Sequence, residues 1–392
     1  ALIKLHFDFL PPFKQKMARK AGQPLLIWII IHSYTSIEAT SNGRLSQLFY
    51  CCQEFVIMEK RGVIMIDKRK VIFDTDIGDD DAVALTACLL SDKIEIIGIT
   101  TVHGNLPIEC ASDNALRMVD FFKKDIKVYQ GCSQPLVRHL NKGRKQTTLM
   151  QTVNTIVDGK LIRIHAETLP LPETTSKLEK IHAVSFIVDT LRNTTEKIDI
   201  CAIGPLTNIG AALILDKDII KNIGNIYIMG GGLYKGNRTP IAEANFYDDP
   251  EAAEIVLNCG ANVFVCPLEA CEQGATFTRE DLEKIKTINN PAADLIYNVL
   301  DGYINRGIIL FGGKQECCAY DYAAIAPLLD ESVNIEVRKD VAHVDFSGGM
   351  ADGQLVIDRR NFGLWTENAN IIYQQDGKRV HNLLINLLKK FK

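Results

Sequence analysis

An α/β fold, with a mostly parallel open sheet covered by helices in one large domain behind an N-terminal extension, is predicted by three features of the sequence. From Lys70 onward, short β-branched runs alternate with helix-like stretches, as strand–helix–strand units require. The exits of four of these runs are rich in Gly, Asp or Asn, and ligands of open parallel sheets bind at such carboxyl ends. Residues 1–60 carry no sustained period and are read as the extension, leaving 61–392 as the main domain.

The elements follow in order. Val71-Ile72-Phe73 is a strand leading into Asp74-Thr75-Asp76-Ile77-Gly78-Asp79-Asp80-Asp81, with a helix expected over 82–90. The run 94–101 exits into His103-Gly104-Asn105, and the run 198–203 into Gly204-Pro205-Leu206-Thr207-Asn208. The run 226–229 exits into Gly230-Gly231-Gly232, read as a tight turn that lets a ligand approach backbone. Residues 263–266 form a further strand, and 381–391 an amphipathic closing helix.

At 392 residues, 47% hydrophobic and 23% charged, the chain can bury a substantial core. A formal charge of -4 gives no general attraction to nucleic acid or an anionic membrane, so neither is expected as a partner and a small molecule is. Eleven cysteines without a Cys-x-x-Cys pair fit buried, reduced thiols, Cys51, Cys52, Cys317 and Cys318 included. A cytoplasmic location is therefore expected. The apolar run 25–31 is far too short for a bilayer of about 30 Å. Residues 17–39, with Met17, Arg19 and Lys20 before that run, are kept as an alternative secretory leader.

Five aspartates fall between Asp74 and Asp81. One or two would be ordinary caps of the following helix, but like charges this close oppose joint ionisation unless a cation sits among them. A hard divalent ion with oxygen ligands is the natural partner. The spacing is not that of an EF-hand, because Leu85 stands where its twelfth-position Glu belongs, which disfavours a non-catalytic calcium-binding protein. A dehalogenase-type phosphatase with Asp74 as nucleophile and Asp76 as acid/base is the other enzyme reading, weakened by Gly78 and the unexplained Asp79-Asp80-Asp81. No phosphate-binding Gly-rich motif is present.

Together with Thr100-Thr101-Val102-His103-Gly104-Asn105, Gly204-Pro205-Leu206-Thr207-Asn208, Met229-Gly230-Gly231-Gly232, Ala242-Glu243-Ala244-Asn245 and Asp249-Pro250-Glu251-Ala252, the aspartate motif resembles the inosine-uridine-preferring nucleoside hydrolase family. Ile77 stands where that family often has Pro. The resemblance implies Ca²⁺-dependent hydrolysis of the ribose–base bond in nucleoside salvage, by a homodimer or tetramer. It implies Ca²⁺ held by Asp76, Asp81, the Ile203 carbonyl and Asp321, with Asp76 as base and Asp80 on the ribose 2′-hydroxyl. Asn105, Asn237, Glu243 and Asn245 would bind ribose hydroxyls, with Met229 also at the nucleoside; His165 is the one other histidine considered near the base, a surface or loop position being its alternative reading. From the residues alone, either Asp76 or Asp80 is the base. Tyr320 occupies a position where many members carry a His that protonates the leaving base; a tyrosine is a weaker acid and a better stacking surface, which leans the substrate toward purine nucleosides. His103 and His182 are read as structural.

Overall fold

Phe73, Val71 and Ile72 are fully buried, which is why the first strand reads as a continuous apolar run rather than an alternating one: helices cover both faces of the sheet. The computed structural model describes residues 68–140, 154–360, 362, 363 and 365–391. The expectations for residues 1–60, for the leader at 17–39 and for Cys51 and Cys52 lie outside the described residues. The sheet has eight strands: β1 Arg69–Thr75, β2 Ile94–Thr101, β3 Val128–Gln130, β4 Ile198–Ala202, β5 Ile223–Met229, β6 Asn262–Cys266, β7 Asn334–Asp340 and β8 Ala369–Gln375. Their spatial order is β7-β8-β6-β5-β4-β1-β2-β3. All neighbours run parallel except β7 against β8.

Side-chain alternation sorts the core into two layers. Val71, Phe73, Tyr227 and Met229 pack on one face, and Ile72, Ile226 and Ile228 on the other. The chain steps from β1 outward through β2 and β3, then returns to the opposite side of β1 as β4. The strand order therefore reverses between β1 and β4, the place where open α/β sheets leave a crevice.

Three strands of this sheet were not read from the sequence. β3 is only three residues long, and β7 and β8 form the antiparallel edge, where exposure on β7 dilutes the apolar signal. The first helix starts earlier than expected, at Asp79–Leu90, and the last runs Gly377–Leu388. No helix among the described residues is long and apolar enough to cross a membrane.

Candidate metal and active site

The carboxyl end of β1 delivers the aspartates directly into the crevice. Gly78 caps the helix Asp79–Leu90, whose residues through Leu89 are all buried, so its acidic first turn is buried too. Asp81 behaves partly as a cap: its Oδ2 accepts from Gly78 N at 2.8 Å and its Oδ1 from Thr75 Oγ1 at 2.5 Å. Two of the five aspartates are taken up by the protein. Asp79 pairs with Arg306 at 2.5 Å and accepts from Ala166 N at 3.0 Å. Asp74 accepts from Thr100 Oγ1 and from Asn208 Nδ2, and burial pushes its carboxyl up to about 7.

Asp80, Asp81 and Asp321 remain as a buried trio whose carboxylate oxygens lie within 4.8 Å of one another. Asp321 arrives from the first turn of the helix Tyr320–Leu329. Asp76 lies beside them: its Oδ2 accepts from Asn105 N at 2.5 Å, while its Oδ1 and Asp80 Oδ1 are buried without a hydrogen-bond donor. Burial, followed by the mutual repulsion of these groups, raises the carboxyls of Asp76, Asp80 and Asp321 well above the ordinary range. A cation is what such a set lacks, and oxygen donors alone suit a hard one. The backbone leaves no slack, since a Cβ on Gly104 would come within 2.0 Å of Asp76 Oδ2.

The other expected residues fall into two groups. Asn245 Nδ2 donates to the carbonyls of Ile203 at 3.0 Å and Met229 at 3.1 Å, tying together the ends of β4 and β5. Glu243 accepts from Gly231, Asn245 and Phe246 N–H groups, and burial pushes its carboxyl up to about 7 against those donors. Asn237 is exposed, and its Oδ1 accepts from Ala244 N at 2.9 Å, the turn-forming role open to it. At the triple glycine, a side chain on Gly230 would meet the Phe246 ring and one on Gly232 the Lys235 carbonyl.

His165 is no surface residue. The hairpin Asn154–Val157 and Lys160–Arg163, closed by Asp158 and Gly159 at φ of 49° and 75°, leads straight into it. Its Nδ1 lies 3.6 Å from Asp80 Oδ1, its ring sits 5.2 Å from that of Tyr303, and burial lowers its pKa. Tyr320 is half-buried; its hydroxyl donates to Glu272 at 3.4 Å and burial raises its pKa further, away from an acid's range. His103 bonds Thr207 Oγ1, and His182 is the N-cap of Ala183–Asn193. Sequence reading missed Arg306, Tyr303 and Glu272, which lie far along the chain in helices and carry no local motif. The nine described cysteines are free, and Cys317 and Cys318 are buried.

The model of the inosine-uridine preferring nucleoside hydrolase family matches residues 71–382. The pyrimidine-specific ribonucleoside hydrolase RihA of Photobacterium profundum is 31% identical over 328 residues, 82% of this chain and 99% of that protein. A plant nucleoside hydrolase structure superposes with a TM-score of 0.71 at 28% identity, covering 82% of this chain and 99% of its own. The purine-preferring ribonucleoside hydrolase of Gardnerella vaginalis gives the same TM-score, 0.71, and the same coverage at 26% identity.

Proposed function

The chain belongs to the inosine-uridine preferring nucleoside hydrolase family and is an N-ribosyl hydrolase, and from that premise we propose that it splits ribonucleosides into ribose and base with Ca²⁺ as its ion and a purine-leaning preference. This family match displaces the dehalogenase and non-catalytic binder readings, and Asp74, fully buried and held by Thr100 and Asn208, is a brace of the crevice.

The observation that carries the proposal is the buried Asp80–Asp81–Asp321 trio at the sheet's switch point, in which Asp80 Oδ1 lacks a donor, as Asp76 Oδ1 does beside it. Asp76, Asp81, Asp321 and the Ile203 carbonyl would hold the cation, and the geometric trio adds Asp80 as a neighbour able to share it. The Ile203 carbonyl accepts only the Asn245 amide among its described bonds, and an oxygen has a second lone pair for an ion. Bound there, a divalent ion supplies positive charge that offsets the clustered carboxylates and makes water a better proton donor.

The chain's own groups do the rest. Asn105 N–H fixes Asp76 Oδ2, which leaves Oδ1 to take the proton of an attacking water. Asp80 serves the ribose 2′-hydroxyl. Asn105, Glu243, Asn245 and Met229 would enclose the sugar, with Asn237 reaching it from its exposed turn, and Glu243 has carboxylate lone pairs beyond its three backbone bonds. His165, neutral through burial, stands on the Asp80 side. Tyr320 offers its ring to the departing base; its hydroxyl, pushed further from acidity, is ill suited to protonating it. The main domain, residues 61–392, would act as a homodimer or tetramer in the cytoplasm.

Five nucleosides, inosine, adenosine, guanosine, uridine and cytidine, assayed for free ribose with chelator and after Ca²⁺ is restored, test this. Purine nucleosides should turn over fastest, and chelation should abolish turnover until Ca²⁺ returns. Faster turnover of uridine and cytidine would overturn the purine leaning, and full activity in chelator would overturn the ion.

A further inference from the structure

Asp76 is held by a backbone N–H, so something must hold that backbone. The segment His103-Gly104-Asn105 leaves β2 and packs so tightly on the carboxylate that Gly104 has no room for a side chain. Among the described residues, its side-chain anchor is the buried His103. His103 Nε2 lies 2.8 Å from Thr207 Oγ1, and Thr207 Oγ1 donates to Asp249 Oδ2 at 2.7 Å. The same Asp249 carboxylate accepts from Leu136 N at 2.8 Å and Ala252 N at 3.1 Å, so it is an acceptor on every side.

These bonds decide the protons. Thr207 has one hydroxyl proton and gives it to Asp249, so the His103–Thr207 bond must carry the proton of His103 Nε2. All three residues are buried to within 1% of full burial, and His103 is kept neutral by that burial. The backbone is pinned as well, by His103 N to the Cys132 carbonyl at 2.9 Å and Val102 N to the Thr75 carbonyl at 3.0 Å.

We propose that Asp249, Thr207 and His103 form a hydrogen-bonded relay of positioning residues that sets the Gly104-Asn105 backbone against Asp76 and so aims the attacking water. None of the three touches the Asp76 carboxylate; they act through the Asn105 N–H. The Asp249-Pro250 and Pro205-Leu206-Thr207 motifs thus serve the same carboxylate through His103. Reaction geometry tolerates little error, and a displacement of about 1 Å costs on the order of 10²-fold in rate.

The inference rests on Asp76 acting in hydrolysis. Thr207→Val keeps the shape and removes the hydroxyl; Thr207→Ser restores it; His103→Phe removes the relay at its other end. Steady-state kinetics of the full chain should show kcat reduced about 10- to 100-fold in Thr207→Val, with KM changed less than threefold. Thr207→Ser should recover to within threefold of wild type. Thr207→Val combined with His103→Phe should be no slower than the worse single variant, because the relay works as one unit. Folding is followed by circular dichroism, and if Thr207→Val does not fold, His103→Phe and Thr207→Ser carry the test. A folded Thr207→Val with wild-type kcat, or a change confined to KM, or a purely additive double variant, overturns the relay. Asp76→Asn with wild-type kcat overturns the reading of Asp76 instead, and is scored separately.

Discussion

The crevice between β1 and β4 and the edge formed by β7 and β8 are both crowded with charge, and they treat it in opposite ways. At the edge, a cavity of about 530 Å³ is lined by Arg338, Lys339, Asp340, Asp358, Arg359 and Trp365 among others. Its charges face solvent and pair locally, as Arg338 does with Glu336 and Arg360 with Asp358 at 2.9 Å, and Arg360 holds the Asp358 carboxyl down at about 2. In the crevice, aspartates without cationic partners are buried, and Asp74 is pushed up to about 7. The same side chain is stabilised as an anion in one place and opposed in the other, because solvent and a guanidinium surround the first, whereas the crevice aspartates other than Asp79, which pairs with Arg306, are buried without a cationic partner. Concavity alone does not single out the candidate site; uncompensated buried charge does.

That contrast can be broken by substitution, beginning with the largest effect. Asp76→Asn should lower kcat on the order of 10³-fold, as removal of a positioned base does, with the fold retained by circular dichroism. A loss under tenfold would place the base elsewhere, with Asp80 the next candidate. Acid titration probes the buried side next. His103 is held at about 3 against an ordinary 6.5, so the unfolded chain binds the extra proton between those values and stability falls as pH drops through that window. Above pH 6.5 the contribution is complete. Urea unfolding at pH 7 and pH 5 should show about 2 kcal/mol less stability at the lower pH from this residue, absent in His103→Phe. Identical pH dependence in the two proteins would show that His103 does not titrate this way.

Tyr320 sharpens the comparison inside the site. Tyr320→Phe should retain most of kcat on purine nucleosides, whereas Tyr320→Ala should lose about tenfold, roughly 1 kcal/mol of transition-state stabilisation. Equal damage in both would make the hydroxyl the working group. The edge should yield least. Asp358→Asn breaks an exposed pair and should leave kcat within about twofold and the melting temperature unmoved, since such pairs contribute little. A marked loss of activity there would join the edge to the catalytic crevice.

Much of this was legible in the chain because it is local. β-branched runs at Val71-Ile72-Phe73 and at 226–229 mark strands through backbone preference and burial, and five acidic residues at one strand exit announce a charge problem within a single turn. Ordered motifs carried the family and the expected ligands. Other features were not local, and no periodicity encodes them. Arg306 neutralises Asp79 from 227 residues away, and that assigns Asp79 to structure while Asp80 and Asp81 stay uncompensated. His165 enters the site because a hairpin turn and Arg306 place it there.

The sequence by itself determined the five central strands of the sheet, their parallel core and the acidic composition of the strand exits, since these follow from side-chain volume, branching and the order of short motifs. Only the tertiary structure decided which aspartates remain free to act. Electrostatic state depends on what lies within a few ångströms, and Asp321, Asn105, Asn208 and Arg306 are brought to those carboxylates by packing across the crevice.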